Sequence, residues 1–285
     1  MVITSSFSHQ HLSSKLAVMA KSTDLTQVPV FILCGGLGTR LKEETEFRPK
    51  PMVPIGNHPI LLHIMRTYAR HGFTRFVLCL GFKAESIIDY FRDFHLHNTD
   101  CTIKLQSNQV VVHESAEKLN WEVTLAYTGL KNMTGSRVAQ ATRKYLGNSK
   151  YFAVTYGDGL TDADLKAEFQ YHLKSAKLGT VLGVNPPSRF GEIKVDGDRV
   201  VEFSEKPDIE DHWINGGYFF FHRDFSKYLS EGEDCILERD PLVRLARDGQ
   251  LNLFRHRGFW ACMDTQRDRE GLTRLASTGT PPWLR

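Results

Sequence analysis

The chain has 285 residues, of which 41% are hydrophobic and 24% charged, a composition that excludes a disordered, collagen-like or coiled-coil protein. A chain of this length buries enough apolar surface to fold without disulfides or a structural metal, and no apolar stretch approaches the roughly 18 residues of a membrane span. The formal net charge of +3 is too small to favour a nucleic-acid partner or an anionic membrane.

The first 27 residues are rich in Ser, Thr and His and contain one short apolar patch, Leu16–Ala20. That patch is too brief for the core of a signal peptide, which needs about 7–15 apolar residues. We expect residues 1–27 to form a disordered tail, with Met19 as an alternative start, and residues 28–285 to form a single domain. An odd number of cysteines without a CxxC pattern indicates a reduced, cytoplasmic protein; they are Cys34, Cys79, Cys101, Cys235 and Cys262.

The first part of the domain alternates predicted strands and helices. Val30–Cys34 is a continuous apolar run before Gly35, which is typical of a parallel strand buried on both faces. Residues 59–71 have apolar side chains at helical spacing, with Pro59 at the start and Gly72 just past the end. The alternation continues with strands at 76–80, 103–105, 123–126, 151–155 and 180–184, and helices at 84–94, 136–146 and 163–175. A polar excursion at 108–120 interrupts it. This order indicates βαβ units and a parallel sheet.

The pattern changes after residue 190. Short strands at 191–195, 200–204 and 214–221, separated by Gly and Pro turns, predict a mixed or antiparallel addition to the sheet. Helices near 224–229 and 241–248, a strand at 251–255 and a last helix from Thr265 complete the chain. We therefore expect the α/β class, with a Rossmann-like, mixed, mostly parallel sheet flanked by helices and a small additional β-rich part.

The loop after the first strand has the features of a phosphate-binding loop. Its glycines allow backbone N–H groups to approach an anion, and Thr39 can donate a hydroxyl hydrogen bond. Arg40, and Lys50 shortly after the loop, add fixed positive charge. The loop fits neither common nucleotide fingerprint, because position 41 is Leu rather than Gly and GxxxxGK[ST] is absent.

Two aspartates are candidate metal ligands. Asp158 lies between two glycines directly after the apolar strand 151–155, where an open α/β sheet places its ligand site. Asp264 precedes the last helix. The structural alternatives are a turn residue for Asp158 and a helix N-cap for Asp264. Asp162 and Asp164 form a DxD pattern at a helix start, where helix capping is the favoured interpretation.

The glycine loop Gly35–Leu41, followed by Pro49–Met52, resembles the signature of the sugar-1-phosphate nucleotidylyltransferases, and more closely that of the glucose-1-phosphate cytidylyltransferases. The similarity runs from about Val30 to the C-terminus. One departure is Cys34, where the family usually has Ala, and we expect no change in chemistry from it. The further matching segments are Pro59–Met65, Asn132–Arg137, Thr155–Gly159, Arg189–Glu192, Glu205–Pro207, Ile214–Gly217 and Gly258–Thr265.

The resemblance assigns roles to individual positions. It implies catalytic roles for Arg40 and Lys50, and Mg²⁺ binding by Asp158 and Asp264. The implied nucleotide-binding residues are Gly35, Gly36, Leu37, Gly38, Thr39, Arg40, Lys50, Thr134, Arg137 and Gly157. The implied sugar-phosphate-binding residues are Glu205, Lys206, Asn215 and Gly216. Judged from the sequence alone, Lys206 would be a solvated surface charge. The alternative for Asn215 is a polar turn residue, which fits less well because its neighbours form an apolar strand.

The activity that the resemblance implies is conversion of CTP and α-D-glucose 1-phosphate to CDP-glucose and pyrophosphate, by direct in-line attack at the α-phosphorus. A general base is not needed, because the second pKa of a phosphate monoester is about 6 and the nucleophile is already ionised. The resemblance also implies a homo-oligomer, often a hexamer, and a product used in polysaccharide biosynthesis. The alternatives are another nucleoside triphosphate or hexose 1-phosphate, a glycosyltransferase, and a non-catalytic sensor of nucleotide-sugars.

Overall fold

The computed structural model describes residues 23–113, 119–186, 191–205 and 212–285. The strands are β1 Val30–Leu33, β2 Pro54–Ile55, β3 His58–Pro59, β4 Arg75–Leu80, β5 Cys101–Lys104, β6 Gln109–Val112, β7 Glu122–Tyr127, β8 Tyr151–Tyr156, β9 Gly159–Thr161, β10 Gly179–Val184, β11 Glu192–Asp196, β12 Arg199–Ser204, β13 Ile214–His222, β14 Leu251–His256 and β15 Trp260–Cys262. The α-helices are α1 Lys42–Thr45, α2 Ile60–Ala69, α3 Ala84–Arg92, α4 Phe94–Asn98, α5 Thr134–Tyr145, α6 Leu165–Ser175, α7 Asp240–Arg247 and α8 Gln266–Ser277. Short 3-10 helices span Leu25–Gln27, Lys50–Met52, Arg223–Tyr228 and Pro282–Leu284.

A seven-stranded sheet in the order β14-β10-β13-β8-β1-β4-β7 forms the centre of the protein. Strands β8, β1, β4 and β7 pair in parallel, as do β10 and β14. Strand β13 is antiparallel to both of its neighbours, β8 and β10. The small pairs β2–β3, β5–β6, β9–β15 and β11–β12 lie outside this sheet.

The central sheet is buried on both faces. Successive side chains of a strand point to opposite sides, so one strand contributes to an apolar cluster on each face. In β1, Val30 and Ile32 belong to one apolar cluster, whereas Phe31 and Leu33 belong to the other. The first cluster packs against α2 and α6, and the second packs against α5. An unbroken apolar run such as β1 is therefore the consequence of having helices on both faces.

The predicted fold class is confirmed, including the mostly parallel sheet and the small β-rich part. Three details differ from the prediction. Strand β13 belongs to the middle of the main sheet, whereas the preceding hairpin β11–β12 forms a separate two-stranded sheet. The predicted helix 84–94 is divided into α3 and α4 at Asp93, whose φ of -101° and ψ of 22° interrupt the helix. Part of the predicted polar excursion forms strand β6.

Regular structure begins upstream of the predicted boundary at Val28. Leu25–Gln27 form a 3-10 turn in which the Asp24 side chain accepts a hydrogen bond from the Thr26 amide. Leu25 packs against the apolar core. The rest of the predicted tail, residues 1–22, lies outside the described residues. Among the helices that the structure describes, none is long and apolar enough to cross a bilayer.

Two buried histidines, His63 and His172, make folding stability depend on pH. The Trp283 indole donates to Nδ1 of His63 at 3.1 Å, so Nε2 carries the proton and donates to the Ile55 carbonyl at 2.9 Å. Burial lowers the pKa of each histidine from 6.5 to about 4. As the pH falls, the unfolded chain therefore takes up these protons before the folded chain does.

We expect the free energy of unfolding to decrease between pH 7 and pH 5, by about 2 kcal/mol for each buried histidine. Urea denaturation at the two pH values measures this loss. The variants His63→Gln and His172→Asn should each lose less stability than the parent protein over the same interval. An identical pH-dependent loss in the parent and in both variants would contradict the assignment.

Candidate active site

The site lies at the carboxyl ends of β1 and β8. The chain runs from β1 to β4 and β7 on one side, and returns to place β8 on the other side of β1. Ligands of open α/β sheets bind at such a point, because the loops after the two strands diverge and leave a crevice. The glycine loop follows β1 and Asp158 follows β8, so the topology brings the two strongest sequence signals to one edge.

The glycine loop presents most of its residues to solvent. Gly35 is buried at its start, whereas Gly36, Leu37, Thr39 and Arg40 are exposed. Gly38 has a φ of 64°, and a Cβ there would lie 2.7 Å from Cγ2 of Thr45, so the turn needs a glycine. The exposed part of the loop is open to a ligand, and its conformation is set by the packing of Gly38.

Arg137 lies beneath the loop rather than in the cleft. Its guanidinium is buried and donates hydrogen bonds to the carbonyls of Gly35, Leu80 and Gly129 at 3.1, 3.0 and 2.7 Å. It also contacts the Thr128 hydroxyl and the Leu130 carbonyl. Burial lowers the pKa of Arg137. With its donors occupied by the backbone, Arg137 supports the glycine loop from below.

Lys50 lies between the two candidate metal ligands. Its ammonium donates to Oδ2 of Asp158 at 2.6 Å and to Oδ1 of Asp264 at 2.8 Å. Nη1 of Arg40 donates to the other oxygen of Asp264 at 2.9 Å. Burial on its own would lower the pKa of Lys50, but the charge of Asp158 and the hydrogen bonds to both aspartates outweigh it, and the pKa is raised. Lys50 therefore stays charged.

The small β9–β15 pair holds the two aspartates together. Cys262 is opposite Gly159 in this pair, and the amide of Met263 donates to the Asp158 carbonyl at 2.9 Å. Asp158 and Asp264 thus flank the same end of two paired strands. Their approach is fixed by backbone hydrogen bonds and not only by charge.

The predicted capping alternatives have different outcomes for Asp264 and Asp164. Thr265, not Asp264, is the N-cap of α8, in a capping box with Asp268, so the cap interpretation of Asp264 is wrong. Asp164 does cap α6 by accepting from the Ala167 amide at 2.9 Å. Asp162 pairs with His256 at 2.8 Å.

Ligand atoms of Asp158, Asp264 and Cys262 all lie within 4.8 Å of one another. Burial raises the pKa of the Cys262 thiol, which keeps it protonated, so the two carboxylates are the charged donors. Carboxylate oxygens are the protein ligands that Mg²⁺ prefers, and it commonly uses one or two of them. Both carboxylates already bind one cation, the ammonium of Lys50, so the negative charge at this position suits a cation. The donor set therefore fits the expected metal.

A cleft of about 700 Å³ opens beside the aspartates, between the ends of β8, β13 and β15. Within it, the carboxylate of Glu238 accepts hydrogen bonds from Thr134, at 2.9 Å, and from the Tyr156 hydroxyl. Nδ2 of Asn215 lies 3.4 Å from the same hydroxyl, and Oδ1 of Asn215 accepts from the Gly217 amide at 2.8 Å. This chain of contacts joins Thr134, predicted for the nucleotide, with Asn215, predicted for the sugar.

The remaining predicted residues have different positions. Gly157 is buried at the end of β8, where a Cβ would lie 2.8 Å from Pro51 and 2.9 Å from the Leu33 carbonyl. Gly216 lines the cleft beside Asn215. Glu205 is exposed just after β12, and Lys206 lies outside the described residues.

The cleft residues that sequence reasoning missed include three with polar side-chain groups in the cleft, namely Tyr156, Glu238 and Trp260. Tyr156 and Trp260 are members of matching segments, Thr155–Gly159 and Gly258–Thr265, and so could have been considered. Glu238 precedes α7 in a stretch without any recognisable motif. Only the fold brings it opposite Tyr156.

The comparisons with known proteins agree on one family. The model of the family described as nucleotidyl transferase matches residues 30–260. A glucose-1-phosphate cytidylyltransferase of Salmonella typhi is 41% identical over 252 residues, which cover 88% of this chain and 97% of that protein. The same enzyme of Salmonella typhimurium has the same identity and coverage. The crystal structure of HddC from Yersinia pseudotuberculosis has a TM-score of 0.61 and 24% identity, covers 87% of this chain and 98% of its own, and supports the fold.

Gly35 and Gly36 form a matched pair for testing how the loop is supported. A Cβ on Gly35 would lie 2.2 Å from Nη1 of Arg137, whereas a Cβ on Gly36 would have nothing within 4 Å. We expect Gly35→Ala to lower the free energy of unfolding by about 1–3 kcal/mol, as overpacking does, and Gly36→Ala to leave it nearly unchanged. Chemical denaturation measures both, and equal stability of the two variants would contradict the packing argument.

Proposed function

Because this chain belongs to the nucleotidyl transferase family, and within it to the sugar-1-phosphate nucleotidylyltransferases, we propose that it joins CTP and α-D-glucose 1-phosphate to give CDP-glucose and pyrophosphate. The observation that carries the proposal is the cluster of Lys50, Asp158 and Asp264 beside the glycine loop, at the edge of a cleft large enough for a nucleotide-sugar. The choice of CTP and glucose 1-phosphate is supported by the names of the 41% identical relatives.

The reaction is a direct displacement. An oxygen of the sugar phosphate attacks the α-phosphorus of CTP and forms a new P–O bond, while the bond from the α-phosphorus to the bridging oxygen breaks and pyrophosphate leaves. The attacking oxygen is already ionised near neutral pH, so no side chain has to remove a proton. The protein has to hold two mutually repelling anions in line and to neutralise the charge on the reacting phosphate.

The cationic side chains are placed for that task. Arg40 extends from the glycine loop with a side chain that is 76% exposed, and is thus accessible to a triphosphate. Lys50 is 12% exposed and fixed between two carboxylates, so its position is well defined. Backbone N–H groups of the exposed glycine loop add donors without a charged side chain.

Asp158 and Asp264 are the residues that would hold Mg²⁺. When bound there, the ion supplies positive charge next to the phosphates, which lowers the repulsion between the two substrates. The ammonium of Lys50 compensates the negative charges of the two carboxylates. Its loss would leave two negative charges facing each other at the place where phosphates must bind.

The sugar phosphate occupies the β13 side of the cleft in this proposal. Asn215 and Gly216 line that side, and the carboxamide of Asn215 is already oriented by the Gly217 amide. Roles for Glu205 and Lys206 follow from the matching Glu-Lys-Pro segment. A homo-oligomer, a cytoplasmic location and a product used in polysaccharide biosynthesis also remain predictions, and the five unpaired cysteines are consistent with a reducing compartment.

Pyrophosphate release tests the proposed reaction. We expect the combination of CTP and α-D-glucose 1-phosphate to give the highest kcat/KM in a matrix of CTP, UTP, dTTP, ATP and GTP against several hexose 1-phosphates. Preference for another pair would correct the substrates. Binding without pyrophosphate release from any pair would favour a sensor, and release of a nucleoside diphosphate from a nucleotide-sugar would favour a glycosyltransferase.

The cluster itself is tested by two substitutions with different signatures. Lys50→Ala should reduce kcat by at least about 100-fold, as expected for loss of a charge at the reacting phosphate. Asp158→Asn should weaken the binding of Mn²⁺ measured by electron paramagnetic resonance. Circular dichroism serves as the control for folding. A folded Lys50→Ala variant with near-normal turnover, or an Asp158→Asn variant with normal Mn²⁺ binding, would remove that residue from the site.

A further inference from the structure

Two side-chain hydrogen bonds connect strand β13 to the β9–β15 pair. The hydroxyl of Tyr218, on β13, donates to the carbonyl of Gly159, on β9, at 2.7 Å. The indole N–H of Trp260, on β15, donates in the opposite direction to the carbonyl of Gly216, on β13, at 2.8 Å. No backbone ladder joins β13 to this pair in the described part of the chain. The two contacts therefore add to the constraint from β8, which pairs with β13 and leads into β9.

Each of the two contacts ends beside a residue of the site. Gly159 directly follows Asp158, and Gly216 directly follows Asn215. Trp260 is four residues before Asp264, on the strand whose end carries that aspartate. The two bonds therefore link the strand that carries the predicted sugar-binding residues to the two strands that carry the carboxylates.

The Tyr218 contact is rigid. Its side chain is 1% exposed and its ring stacks on Tyr68 with the ring centroids 5.7 Å apart. Burial raises the pKa of the Tyr218 hydroxyl, which therefore remains a hydrogen-bond donor near neutral pH. A buried donor that loses its acceptor costs more than an exposed one, so this contact resists displacement.

We propose that Tyr218 and Trp260 are positioning residues that set the distance between the sugar-phosphate side and the carboxylate side of the cleft. This inference rests on the proposed function. In-line displacement depends on the placement of the two reacting groups, and a shift of about 1 Å can reduce the rate about 100-fold. Neither residue has to contact a reacting atom for this role, because each acts through a backbone carbonyl next to a site residue.

The two contacts act on different partners, which separates their effects. The Tyr218 hydroxyl holds the carbonyl of Gly159, the residue after Asp158. Tyr218→Phe should therefore weaken Mn²⁺ binding, measured by electron paramagnetic resonance, about tenfold. The Trp260 indole holds the carbonyl of Gly216, the residue after Asn215. Trp260→Phe should therefore raise KM for the sugar phosphate about tenfold and leave KM for the nucleoside triphosphate unchanged. Both variants should lower kcat.

Tyr68→Phe is the matched control. Tyr68 is buried in the same stacked pair, but its hydroxyl makes no hydrogen bond to the backbone at Asp158 or Gly159. This variant should keep the parent's Mn²⁺ affinity and kcat, even if its melting temperature changes. Tyr218→Phe and Tyr68→Phe each remove one buried hydroxyl from the same aromatic stack, and the Tyr68 hydroxyl faces Thr155 rather than Gly159. The comparison therefore separates loss of the contact with Gly159 from loss of a buried hydroxyl as such.

The outcomes distinguish a failure of the proposed function from a failure of the positioning role. If the parent protein neither binds Mn²⁺ nor releases pyrophosphate, the proposed function is wrong. If the parent does both, and Tyr218→Phe matches Tyr68→Phe in Mn²⁺ affinity and kcat, the positioning role of Tyr218 is wrong. A Trp260→Phe variant with an unchanged KM for the sugar phosphate would overturn the other half of the proposal.

Discussion

The site depends on the ammonium of Lys50 and its two carboxylate partners, Asp158 and Asp264. Two carboxylates with ligand atoms within 4.8 Å repel each other unless a cation lies between them. The partners of Lys50 are 108 and 214 residues away in the sequence, so one ammonium ties the segment after the glycine loop to the ends of β8 and β15. These groups are only partly exposed, so water screens their interaction less than it would at the surface.

Arg137, Arg40 and Lys50, three basic residues near the glycine loop, differ in their burial and partners, and this difference decides what each can bind. Arg137 is buried, and its guanidinium is occupied by carbonyls of the protein's own backbone. Arg40 is mostly exposed and holds Asp264 with one nitrogen. The exposure of Lys50 lies between that of Arg137 and that of Arg40, and its ammonium lies at the border of the cleft. Charge alone therefore does not identify a phosphate ligand, and burial together with partners is needed.

Local signals in the sequence were sufficient for most of the fold and for the candidate site's location. Apolar runs next to glycines predicted β1 and β8, and the end of a parallel strand predicted the position of Asp158. The prediction grouped β13 with β11 and β12 by their close spacing, although the apolar run Tyr218–Phe221 of β13 is typical of a strand buried on both faces. Strands β11 and β12, in contrast, alternate charged and apolar residues. Contacts between residues far apart in the sequence, such as Thr134 with Glu238, depend on the completed fold and produce no periodic pattern in the sequence.

The reversed strand β13 has a consequence for the order in which the sheet can be completed. It lies between β8 and β10, both of which precede it in the chain. During synthesis, β8 and β10 emerge with a gap between them that only residues 214–222 can fill. Until then, β8 presents an unpaired edge of alternating backbone donors and acceptors, and such edges promote association between incomplete chains. The gap beside β8 can thus close only after β13 has been synthesised, and the exposed edge favours aggregation of the nascent protein until that step. Strand β14 follows later and adds to the outer side of β10, so the centre of the sheet closes before this edge is complete.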